Sequence, residues 1–253
     1  MTRRSKCGIE QREKRLQINN VSPRSFHSSF VFGQMSSVDP STWKTSKKHG
    51  LVILPLKGAL IYRPRQSICQ SRPHLHRFLD TIFPHFHVMV WSSAMRRNVD
   101  IMLETAFAQH HRDHLTCIWD RRSFGLSNKD YYGKAVTIKD LNKIKRLYHN
   151  RSHEFKSSKY IILLEDDKEK VRAEDKDNLV YVNKWESTDW KDDTLLQLAE
   201  WFDELVEAKE MMEEEGKEWD FQKYNVQHPF NVDESDTEDS DEETEGSEDE
   251  KDE

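Results

Sequence analysis

Short, unbroken apolar runs punctuate the middle of this chain, at Leu51–Leu54, Val88–Trp91, Tyr160–Leu164 and Leu179–Val182. A strand covered on one face alternates apolar and polar residues, so a continuous run of this length marks a strand buried on both faces. Leu115 to Trp119 reads as a further strand. Between these runs the apolar period changes to that of a helix. Leu75, Phe78, Leu79 and Ile82 share a face over His74 to Phe83, where Pro84 is expected to stop the helix. Asn98 to Ala108 and Asp140 to Tyr148 repeat the pattern. Leu195 to Met212 is amphipathic, with Leu195, Leu196, Leu198, Trp201, Phe202 and Leu205 on or near one face. Strands alternating with helices predict an α/β domain, a mostly parallel sheet with helices on both faces.

Outside that pattern the composition shifts. The 253 residues carry a formal charge of −7, but residues 233 to 253 hold fourteen acidic residues and one lysine, a net of −13, which leaves the remainder at +6. The pattern divides the chain into a basic, weakly ordered arm (1–46), a domain (48–207), a helical extension and linker (208–232) and an acidic disordered tail (233–253). In the tail, Ser235, Ser240 and Ser247 each precede an acidic residue by three positions, the spacing acidophilic kinases favour. In the arm, Arg24 to Ser29 reads R-S-F-H-S-S, a loose match to mitochondrial processing sites. The three cysteines, Cys7, Cys69 and Cys117, form no CxxC and no paired framework. That fits a reducing compartment and ordinary core or loop thiols. No apolar run approaches the roughly 18 residues of a membrane helix, and no secretory signal is expected.

Four segments stand in order at strand ends or helix starts. They are L-V-I-L-P-L-K-G-A-L-I-Y-R-P (51–64), V-M-V-W-S-S-A (88–94), T-I-K-D-L (137–141) and Y-I-I-L-L-E-D-D-K-E-K (160–170). Together with R-P-H-L-H-R-F-L-D (72–80) and W-D-R-R-S-F-G-L-S (119–127) they resemble the CTD-phosphatase-like domain, also called the FCP or NLI-interacting-factor homology domain. That is a branch of the haloacid-dehalogenase superfamily, and the flavour is that of fungal members. The resemblance implies a haloacid-dehalogenase-like fold and a magnesium-dependent phosphoprotein phosphatase ancestry.

The same resemblance exposes a loss. In the family the first strand ends in D-x-D-G-T-L. Its first Asp attacks phosphorus, its second is the general acid/base, and both help place magnesium. Here the run is Pro55-Leu56-Lys57-Gly58-Ala59-Leu60. Pro55 offers no nucleophilic atom, Lys57 reverses the charge of the acid/base, and Ala59 replaces the threonine. A general acid/base alone is worth about 10²- to 10⁴-fold in rate. The other positions persist. Ser92 matches the phosphate-holding hydroxyl, Lys139 the phosphate-neutralising lysine, and Glu165 and Asp166 the acidic pair, with Asp166 at the metal-ligand position. Asp167 and Lys168 depart from the family's usual Ser-Pro. Two arrangements are consistent with this pattern. Lys57 could pair with Asp166 and Glu165 and replace the metal's charge. Alternatively, Lys57, Lys139 and Ser92 could hold an anion such as a phosphopeptide without cleaving it.

The expected function is therefore a catalytically inactive phosphatase-like module that binds a protein or phosphoprotein, with no cofactor, or Mg2+ if activity remains. Two alternatives stay open: an active magnesium-dependent serine/threonine phosphatase, and a presequence-translocase receptor-like import component. Nucleus or cytoplasm is the expected compartment, with the mitochondrion as alternative. The basic arm makes a poor nucleic-acid ligand, since two acidic residues interrupt its charge. Trp185, Trp190 and Trp201 are expected in the core, with peptide binding as the alternative. Histidines cluster at His74, His76, His85 and His87 and at His110, His111 and His114. His110 and His114 have the i,i+4 spacing of metal pairs, but no Glu or Cys lies at a suitable nearby spacing, so the reading is surface histidines. No G-x-G-x-x-G or G-x-x-x-x-G-K supports a nucleotide loop.

Overall fold

A computed structural model of the chain describes residues 47–65, 68–148, 157–186 and 191–230. The basic arm with its Arg24–Ser29 motif, the acidic tail with its three serines, Cys7 and Trp190 lie outside the described residues. Five strands, β1 (Leu51–Leu54), β4 (His87–Trp91), β5 (Cys117–Trp119), β6 (Ile161–Glu165) and β7 (Leu179–Tyr181), form one parallel sheet in the order β5-β4-β1-β6-β7. A two-stranded antiparallel ribbon, β2 (Ile61–Tyr62) with β3 (Gln70–Ser71), follows β1. This is the α/β fold the apolar runs predicted.

The unbroken runs are explained by two cores, one per sheet face. Val52, Leu54, Val88, Val90, Ile162 and Leu164 face one side. There they meet α1 (Leu75–His85), α2 (Arg96–Ala106) and α6 (Thr194–Glu214) through Phe78, Leu79, Met102, Leu198 and Phe202. Leu51, Ile53, Met89, Trp91, Ile161 and Leu163 face the other side, against Leu141 and Ile144 of α5 (Leu141–Tyr148). Phe202 sits between Phe78 and Phe86, with ring centroids 5.8 and 5.4 Å away.

Some boundaries move. α1 runs through Pro84 to His85, because a proline in the last turn costs one hydrogen bond only. The Phe86 amide still closes that turn onto the Ile82 carbonyl, and the Lys48 ammonium donates to the carbonyls of Phe83 and Pro84. The helix α4 (Asn128–Tyr132) adds to the expected set, while α3 (Gln109–His114) holds the i,i+4 histidines and α7 (Phe221–Gln227) lies in the helical extension. Ser127 and Asp120 cap their turns by accepting from the amides of Asp130 and Arg122. Trp185 and Trp201 are buried, Trp201 among Phe221, Tyr224 and Phe230. Cys69 and Cys117 are partly buried and pack at the edges of the two cores.

Candidate functional site

In the order β5-β4-β1-β6-β7 the chain leaves β1 in one direction and returns to its other side at β6. Open parallel sheets place ligands outside the carboxyl ends of strands at such a switch. The ends of β1, β4 and β6 there carry Pro55, Ser92 and Glu165, which line one cavity of about 430 Å³. Its walls include the apolar Trp91, Met102 and Phe124 and five cationic side chains: Lys57, Arg63, Arg65, Lys139 and Lys170. Among its described lining residues Glu165 is the only carboxylate.

The sequence motifs thus converge, but the ion pairs differ from the expectation for Lys57. Lys57 is exposed. The cations on the acidic pair are Lys139 and Lys170. The Lys139 ammonium makes a buried, short hydrogen bond to Glu165 Oε2. Lys170 Nζ stands 3.4 Å from Glu165 Oε1 and 3.2 Å from Asp166 Oδ1. Local backbone sets this up. Asp167 accepts from the Glu169 amide and caps a 3-10 turn over Lys168–Lys170, which folds Lys170 back over the acids. The Lys139 amide donates to the Lys170 carbonyl at 2.7 Å. Lys57 lines both the cavity and a neighbouring cleft with Tyr62, Lys184, Trp185 and Glu186.

Gly58 explains why this turn keeps a glycine. Its φ is +97°, and a Cβ added there would fall 1.8 Å from Asp166 Oδ2. The turn is closed by the Gly58 amide donating to the Ile61 carbonyl at 3.0 Å and by the Trp185 amide donating to the Gly58 carbonyl at 2.7 Å. Ser92 is buried and its hydroxyl accepts from the Ala94 amide at 3.2 Å, which fixes the loop after β4. Ala59 is buried in the core.

The two acids are shifted in opposite directions in proton affinity. Burial alone would raise Glu165, but the Lys139 charge, with help from Asp166 and Lys170, brings it down to about 2. Burial, and then the neighbouring Glu165, push Asp166 up to about 6 despite Lys170. Burial works against the Lys170 ammonium too, yet Glu165 and Asp166 hold its pKa above the ordinary lysine value.

Magnesium demands oxygen ligands in near-octahedral array. The residues here do not fit it. The first-strand positions supply no carboxylate, and the two acids that remain each face an ammonium.

Sequence reasoning missed Lys170, Arg63 and Arg65. All three stood within or just beyond the quoted motifs. What concealed them was that their approach to the acids and the cavity depends on turns, not on strand or helix period.

The sequence profile of the NLI interacting factor-like phosphatase family matches residues 37–212. An uncharacterized FCP1 homology domain-containing protein of Schizosaccharomyces pombe is 33% identical over 137 residues, 49% of this chain and 56% of the relative. The chain therefore spans little more than half the length of that relative. Among solved structures, Fcp1, an essential RNA polymerase II CTD phosphatase, is similar with a TM-score of 0.50 at 12% identity, covering 73% of this chain and 71% of that one. A fission yeast Fcp1 variant bound to beryllium fluoride gives 0.49 at 11% identity, with the same coverage. At such identity the structural likeness speaks for the haloacid-dehalogenase-like fold alone. The profile covers more than half the chain, and on that ground the chain belongs to the NLI interacting factor-like phosphatase family.

Proposed function

We propose that this domain is a pseudophosphatase, a phosphatase-family module that binds a protein or phosphoprotein partner without cleaving phosphate. The observation that carries the reading is the arrangement of cations around Glu165 and Asp166. Lys170 brings an ammonium to both carboxylates, and Pro55 offers no atom to attack phosphorus. An aspartyl-phosphate route needs a carboxylate at the cavity floor. The one lining carboxylate, Glu165, is buried beneath Lys139. The excess of cations over carboxylates in the cavity supports an anionic ligand, and phosphate is the anion such lysines and arginines hold best.

The test measures hydrolysis and binding side by side on the full chain. With Mg2+ present, p-nitrophenyl phosphate should not turn over, while a fluorescent phosphopeptide binds more tightly than its unphosphorylated form. Lys57→Ala and Arg65→Ala change exposed side chains and should each weaken phosphopeptide binding by about tenfold, the loss of one charge-assisted hydrogen bond. Turnover by the wild type that disappears in Lys139→Ala would sink the proposal in favour of an active magnesium-dependent phosphatase. Equal affinity for the phosphorylated and unphosphorylated peptides would overturn the anion-binding part.

A further inference from the structure

Away from the cavity, α1 and α3 meet in a cluster of imidazoles around one carboxylate. Asp80 Oδ1 lies 2.8 Å from His111 Nε2 and 3.7 Å from His110 Nε2. One ligand atom from each of the three residues lies within 4.8 Å of the other two. Zinc bonds of about 2.0–2.2 Å in a tetrahedron hold ligand atoms about 3.3–3.5 Å apart. Both separations are a small side-chain adjustment from that figure. His76, one turn before Asp80 on the same face of α1, stacks on His111 with ring centroids 6.0 Å apart.

Burial in the cluster is graded. His111 is enclosed, its side chain 1% exposed, against Phe83 and Phe107. Asp80 and His110 are 36% and 41% exposed, so solvent reaches the group from one side. A buried histidine satisfied by Asp80 would account for His111 alone. It does not account for His110, whose ring centroid is 4.0 Å from that of His111 and whose Nε2 faces the same carboxylate oxygen. His114, spaced i,i+4 from His110, is not part of this cluster; its Nδ1 donates to the His110 carbonyl at 2.7 Å.

We propose that Asp80, His110 and His111 bind zinc or a similar divalent transition-metal ion, and that the ion pins α3 to α1. Imidazole with carboxylate is a donor set for such ions and not for magnesium or calcium. The ion takes the place of the hydrogen bond between His111 Nε2 and Asp80 Oδ1, with the imidazole proton carried on Nδ1. α3 is six residues long and has no side-chain cap, so a metal clip would add the most where the helix has least support of its own.

The test uses the full chain without a histidine tag. Titration with zinc chloride should show one ion per chain. Cobalt chloride should give the visible absorption of a tetrahedral site, and zinc should raise the Tm where magnesium does not. His110→Ala and Asp80→Asn should each weaken zinc binding by more than about tenfold, the scale that even outer partners of a metal site command. His228→Ala, at a distant histidine, should leave it unchanged. His110 is partly exposed, so its variant should fold even if a change at buried His111 does not. Absence of zinc binding by the wild type, or binding undiminished in both variants, overturns the proposal.

Discussion

At the residue scale, the carboxyl end of β1 shows what substitution can do without disturbing a fold. Pro55 and Lys57 remove two carboxylates, yet Gly58 keeps the turn and the space into which Asp166 projects. Gly58→Ala should therefore destabilise the domain by about 2–3 kcal/mol, since it combines a positive φ with a clash, and the loss can be read from urea unfolding. The paired acids predict opposite pH behaviour. The folded pKa of Glu165 lies below its unfolded value, so its stabilisation is present above the ordinary carboxylate range and is lost as pH falls toward about 2. That of Asp166 lies above, so its contribution is present in acid and is lost as pH rises through about 6. Asp166→Asn should flatten the unfolding midpoint between pH 4 and 7 relative to wild type. These acids were legible in the sequence, because they end a strand at a position the family motif marks. Lys170 was not, because a capped 3-10 turn and not a regular period returns it to them.

At the element scale, one guanidinium ties the ribbon after β1 to the start of α6. Arg72 is buried, and its Nη1 donates to the carbonyls of Ala59 and Asn183. Its Nε and Nη2 donate to the Asp192 carboxylate, and Nη2 also reaches Thr194 Oγ1 at 2.8 Å. Arg72→Ala leaves Asp192 without its guanidinium and should cost about 3–5 kcal/mol. Arg72→Lys should recover little of this, because an ammonium cannot span the same fork of acceptors. Thermal unfolding of both variants checks the order. Strands and long helices were readable because their apolar periods are local. β1 and β6 were found to within a residue for that reason. The helix α3 was legible only as a possibility, since Q-H-H-R-D-H has no apolar face and His111 turns into a pocket built by α1.

At the scale of the whole molecule, the segment beyond α6 carries a further helix, α7, and folds back against the domain. Asp220 caps α7, whose Asn225 side chain donates to the carbonyls of Asp177 and Leu179 at the β7 edge. Gln222 donates to Asn178, which in turn holds the Ser158 and Ile161 carbonyls. Trp219 and Phe221 are buried in the main core. A chain ending at 214 should melt well below one ending at 230, because it forfeits two buried aromatics worth about 3 kcal/mol or more each. A Tm difference near zero between the two would show that α7 adds nothing. Among the described residues no helix is long and apolar enough to cross a membrane. One further consequence follows from the ammonium of Lys170. A charge carried by the chain itself cannot be chelated, exchanged or diluted away. Its backbone is held by the capped turn at 168–170 and by the Lys139 amide on its carbonyl. The charge opposite the acids is thus built into the chain and does not depend on a dissociable ion.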